Sequence, residues 1–180
     1  MASDRPAAPL ALDTNPFLLL VTYRYLESKN ATAPERMRAL TDVRGQPDYL
    51  PPESFDELWY IFEHANRRIT TQHVVAEALK FRHSGWLRDH KDGVWEAAIS
   101  LLREFDIEEH SCPILDLHAN KEYRPVLVEL GYTDAGLLHT VERHKATLIT
   151  EDTKLLSFAY ARFVPAFPLS QLRALIAQSR

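Results

Sequence analysis

The sequence predicts an α/β fold in which a parallel sheet carries helices on both faces. Three observations lead there. Short apolar or β-rich runs, such as "LAL" at 10–12 and "ATLIT" at 146–150, alternate with longer segments of helical spacing. Alternation of this kind needs crossover helices, and these cover both faces of a parallel sheet. The 180 residues, 46% hydrophobic and 26% charged, suit one globular domain with a sizeable core.

The elements follow in order. Residues 1–9, rich in Ala and Pro, read as a flexible lead-in to a single domain over 10–180. A first strand covers Leu10 to Asp13, and a helix runs from about Asn15 to Glu27 with Pro16 in its first turn, where proline is tolerated. Residues 28–68 form an enlarged helical insertion. It has a short helix after Pro34, turns at Gly45-Gln46-Pro47 and Pro51-Pro52, and a capping box at "SFDE" with Ser54 as N-cap. Leu58, Ile61, Phe62 and Ala65 keep helical spacing, with Trp59 and Tyr60 near the edge of that stripe, where they either cap the core, the favoured reading, or form an exposed aromatic patch for a protein partner. Ile69 and Thr70 read as a short strand, and Thr71 to His83 as a helix. Another helix covers Val94 to Glu104, and "CPILDL" at 112–117 has the length and apolarity of a buried strand. "KEYRPVLVELG" reads as a helix ended by Gly131 in a left-handed C′ position, followed by a helix with Thr133 as N-cap. After the strand at 146–150 come a helix at 152–161, an edge strand "RFVPAF" with Pro165 excluding a central position, and a terminal helix at 170–179.

Composition excludes some functions. A net charge of −4 argues against coating duplex DNA by charge alone, yet is neutral for an enzyme whose acidic site binds a metal. No apolar stretch approaches the roughly 18 residues of a membrane span, and no secretory signal opens the chain. The single cysteine, Cys112, is expected to be a buried structural thiol and fits a reducing cytoplasm. Five glycines supply no phosphate-binding loop, and His139 and His144 miss the i, i+4 spacing of a helical zinc pair.

Four acids stand where apolar residues belong. Asp13 ends the first strand. Glu77 lies on the apolar face marked by Val74 and Phe81. Asp134 heads the stripe Leu137, Leu138 and Val141, and Asp152 heads Leu155, Leu156 and Ala159. Singly, each has an ordinary explanation: a turn, a helix-dipole partner, or a buried ion pair. Jointly, four carboxylates meeting at one sheet edge would repel and need cations between them, and hard oxygen donors favour Mg²⁺ or Mn²⁺. Arg67, Arg68, Lys80 and Arg82 flank the Glu77 segment and are candidate contacts for the phosphates of single-stranded RNA, against the alternative of a solvated helix surface.

In chain order, "LDTNPFLL", "TTQHVVAEAL", "GYTDAGLLHTVERH" and "ATLITEDTKLLSFA" resemble the successive signatures of PIN-domain nucleases over roughly residues 10–165. The resemblance implies a three-layer α/β/α sandwich. It implies an Mg²⁺ or Mn²⁺ site on Asp13, Glu77, Asp134 and Asp152, with Thr14, Asn15 and Thr150 as orienting groups. It further implies an endoribonuclease related to VapC-type toxins, a homodimer and an antitoxin partner. The chain departs from the compact toxin-like pattern in the 64 positions between Asp13 and Glu77 (77 − 13), in Glu151 beside Asp152, and in its C-terminal tail. The other readings are a non-catalytic PIN-like interaction module, and a different metal-dependent phosphohydrolase or DNA nuclease. A haloacid-dehalogenase site would want Asp-x-Asp-x-Thr, which "DTNPF" lacks.

Overall fold

In the computed structural model, residues 8–36, 39, 53–80, 85–172 and 176 are described. Their strands are β1 (Leu10–Leu12), β2 (Arg68–Thr71), β3 (Glu108–His110), β4 (Thr147–Ile149) and β5 (Ala166–Phe167). They form one parallel sheet in the order β3-β2-β1-β4-β5. The main helices are α1 (Thr14–Ser28), α2 (Glu53–His64), α3 (Gln72–Lys80), α4 (Gly85–Asp89) and α5 (Lys91–Glu104). After β3 come α6 (Ile114–Ala119), α7 (Tyr123–Leu130), α8 (Tyr132–His144) and, past β4, α9 (Thr153–Ala161). Helix α1 packs on α2, α3 and α5, while α8 packs on α6, α7 and α9. The result is the α/β/α sandwich expected from the alternation of strands and helices.

β1 lies at the centre because its residues are apolar throughout, and all three are buried. Helix α1 is apolar around much of its circumference: Phe17, Leu18, Leu19, Leu20 and Val21 are all buried. A helix apolar over most of its surface must be largely surrounded, and α1 packs against the sheet and three helices. Opposite it, Leu137, Leu138 and Val141 of α8 and Leu148 and Ile149 of β4 complete the core. Trp59 packs on that core, stacked on Tyr23 at 5.3 Å and edge-on to Phe105 at 5.5 Å.

Several sequence expectations need correction. The segment 112–117 is not a strand: β3 is the polar "EEH" before it, and Ile114–Ala119 is helical. A strand on the sheet's edge pairs on one side and needs no apolar run. Pro113, at φ −62°, presets the turn into α6, of which only Leu117 is buried. Thr133 does not cap α8, which starts one residue earlier behind Gly131. Gly131 has φ +82° and ψ 178°, a conformation open to glycine alone without strain, and joins α7 directly to α8. The chain after β5 begins with a 3-10 turn, Leu169–Gln171. Most of the helix expected at 170–179 and the turns at 45–47 and 51–52 lie outside the described residues, whereas 33–36 are helical and Ser54 falls inside α2, which begins at Glu53, instead of preceding it as the cap.

Candidate functional site

The strand order dictates where a site can form. From β1 the chain moves outward through β2 to β3, then returns to the other side of β1 for β4. At such a reversal the connections leave the carboxyl ends of adjacent strands in opposite directions and open a crevice. The adjacent strands are β1 and β4, in register from Leu10↔Thr147 to Leu12↔Ile149. Asp13 follows β1 directly, and Thr150, Glu151 and Asp152 follow β4.

Asp13 is 5% exposed. Its backbone N–H donates to the Ile149 carbonyl at 3.0 Å, extending the β1–β4 ladder by one residue. Its Oδ1 accepts from the Thr14 N–H at 2.6 Å, capping α1, and its Oδ2 accepts from the Thr150 hydroxyl at 2.6 Å. The Thr150 oxygen in turn accepts from the Asp152 N–H at 3.0 Å. Thr150 therefore fixes both the buried carboxylate and the start of the next loop. Asp152 is exposed and caps α9, its Oδ1 accepting from the Leu155 N–H at 2.8 Å.

Glu77 reaches the same place from the second turn of α3. It is half-buried, and its Oε2 accepts from the Thr14 hydroxyl at 3.4 Å. Asp134 comes from the first turn of α8, also half-buried, above the fully buried Leu137, Leu138 and Val141. Asn15 is exposed at the start of α1.

The electrostatics join the four acids. Burial pushes the Asp13 carboxyl up, its bonds to Thr150 and Thr14 pull it down, and the charges of Asp152 and Glu77 push it up again, leaving it raised. Asp134 is pushed to about 7, by burial first and then by the charges of Asp13, Asp152 and Glu77. Each charge acting on Asp134 is thus another member of the cluster. Among the described residues no three His, Cys, Asp or Glu side chains form a preassembled cation cage. The donor chemistry nevertheless fits a hard divalent ion: four carboxylates from four elements, two of them held above their usual range by burial and mutual repulsion.

Two of the four basic candidates lie elsewhere. Arg67 and Arg68 are at the amino end of β2, away from the carboxyl ends that carry the acids. Arg67 makes a two-pronged bond to Glu108 at 2.7–2.8 Å. Arg68 donates to the Phe62 and Glu63 carbonyls at 2.6 Å and lies over the Phe62 and Phe105 rings. Lys80 is exposed one turn beyond Glu77, and Arg82 lies outside the described residues. Cys112 is buried, with its sulfur 3.6 Å from His139 Nδ1 and its thiol pushed up chiefly by burial. It is a poor nucleophile.

Two residues at the cluster's margin escape a search for acids: His73, one turn before Glu77, and Tyr132, two residues before Asp134. Their rings meet at 4.3 Å. The i, i+4 spacing of His73 and Glu77 was the available signal. Comparison of the sequence with protein-family models and with curated proteins returns no match.

Proposed function

We propose that the protein is a PIN-like, Mg²⁺- or Mn²⁺-dependent endoribonuclease acting at the β1–β4 crevice. The observation that carries this reading is the approach of four carboxylates from four separate elements, whose charges help raise Asp13 and hold the Asp134 carboxyl at about 7. Structural acids are ordinarily paired with cations. Here the charges felt by Asp134 are all negative.

Asp13, Glu77, Asp134 and Asp152 are the residues that would hold the metal. A divalent ion there would supply Lewis-acid polarisation and a more acidic water for in-line attack on a phosphodiester. The Thr150 hydroxyl keeps the Asp13 carboxylate aimed into the crevice, and the Thr14 hydroxyl does so for Glu77. Asp134, held at about 7 by burial and its acidic neighbours, would give up its proton as a divalent ion binds. With water as the attacking group, no covalent intermediate with the protein is needed.

On this reading the chain works on RNA in the cytoplasm. The toxin resemblance extends it to a homodimer held in check by an antitoxin. The described residues include no helix long and apolar enough to cross a membrane. The direct test is cleavage of an RNA pool with Mg²⁺ or Mn²⁺, with and without EDTA, by the wild type, Asp13→Asn and Asp134→Asn. We expect cleavage by the wild type alone and only with the cation. Equal activity in all samples would remove the proposal.

A further inference from the structure

The acids can act on a phosphodiester, but nothing in a carboxylate cluster holds the strand in one register. His73 and Tyr132 offer a means. His73 lies four residues before Glu77, on the same face of α3 and about one turn (5.4 Å) away along the axis. Tyr132 opens α8 two residues before Asp134. The two rings, both half-buried, meet where α3 packs against α8, with centroids 4.3 Å apart and planes tilted by 57°.

The Tyr132 ring is fixed in place, since its hydroxyl donates to the Cys112 carbonyl at 2.5 Å. The His73 ring makes no hydrogen bond among the described residues; the Tyr132 ring is its aromatic partner. A polar ring kept partly in solvent and backed by an immobilised aromatic is available to a ligand at the rim of the cluster. Both residues are half-buried, so the tilted pair keeps part of its surface in solvent, where a third flat ring can pack. One helical turn from Glu77 is also within the reach of a base whose own phosphate lies among the acids.

We propose that His73 and Tyr132 form a nucleobase platform at the rim of the acid cluster, stacking a base of single-stranded RNA beside the phosphate to be cut. The platform rests on the nuclease reading. Base–aromatic stacking tolerates every base, so the site fixes the position of the strand more than its sequence.

The test uses the full chain and a short single-stranded RNA carrying 2-aminopurine at successive positions, because stacking quenches that base. Binding is measured in Ca²⁺ and cleavage in Mn²⁺, for the wild type, His73→Ala and His73→Phe. In the wild type one position is quenched. His73→Ala loses that quenching and binds about tenfold more weakly. Its KM rises while kcat changes by less than about twofold, and His73→Phe restores both signals. Equal quenching and KM in the wild type and His73→Ala overturn the platform and leave the nuclease standing. A loss that His73→Phe does not restore assigns the effect to the imidazole nitrogens and likewise overturns stacking. A wild type that neither binds nor cuts the RNA overturns both proposals.

Discussion

Replacing Asp134 with Asn separates the electrostatic cost of the cluster from its packing. The folded protein holds this carboxyl at about 7, against an ordinary value of 3.8. Folding therefore favours its protonated form. Below about pH 4 the group is protonated in both states and costs nothing. As pH rises towards 7 the unfolded chain releases the proton more readily, and stability falls; above 7 the loss is complete. A gap of about three pH units corresponds to roughly 4 kcal/mol, which partial exposure and solvent screening reduce to about 2 kcal/mol. Asn keeps the side chain's shape and cannot ionise. Urea unfolding at pH 3 and pH 8 reads the difference. The variant should match the wild type at the lower pH and exceed it by about 2 kcal/mol at the higher, a midpoint shift of about 1 M. Saturating Mn²⁺ at pH 8 should stabilise the wild type and close much of that gap. A variant no more stable than the wild type at pH 8 would refute the charge argument.

Further outcomes follow from individual contacts. Thr150→Val keeps shape but removes the donor to Asp13 and the acceptor for the Asp152 N–H, and should cost about 1–3 kcal/mol in urea unfolding. Nuclease activity should fall with it. Charge reversal at Arg67 should leave RNA affinity unchanged in a fluorescence titration, because the side chain is committed to Glu108 at the far end of β2. Gly93→Ala would bring a methyl to 2.2 Å from the Tyr25 ring, whose hydroxyl is held by His90 Nδ1. Thermal unfolding should show a loss of about 1–3 kcal/mol.

Much of this arrangement was legible because helix phase and strand ends are local properties. Asp13 could be assigned to the end of β1 because an apolar triplet precedes it and Pro16 marks a first helical turn. Asp134 and Asp152 declared themselves by the apolar residues three and four positions on. The path of β3 was hidden, because "EEH" has no buried face to imprint a pattern, while "CPILDL" imitates a strand until Pro113 and the spacing of its apolar residues are weighed. Arg67 and Arg68 were misplaced for another reason. Adjacency to Glu77 in sequence puts Arg67 and Arg68 at the opposite end of β2, one strand length from the acids, and long-range pairing with Glu108 leaves no local trace.

Asp13 has two duties. Its Oδ1 starts α1, the helix around which the interior is assembled, and its Oδ2 is fixed by the loop after β4. An alanine there would be misread as proof of catalysis, since losing the cap alone weakens a helix by about 1 kcal/mol. Asparagine or serine would preserve the start of the helix while discarding the charge. A descendant of this chain that had given up its chemistry but kept its shape would therefore be expected to carry one of those two residues at position 13.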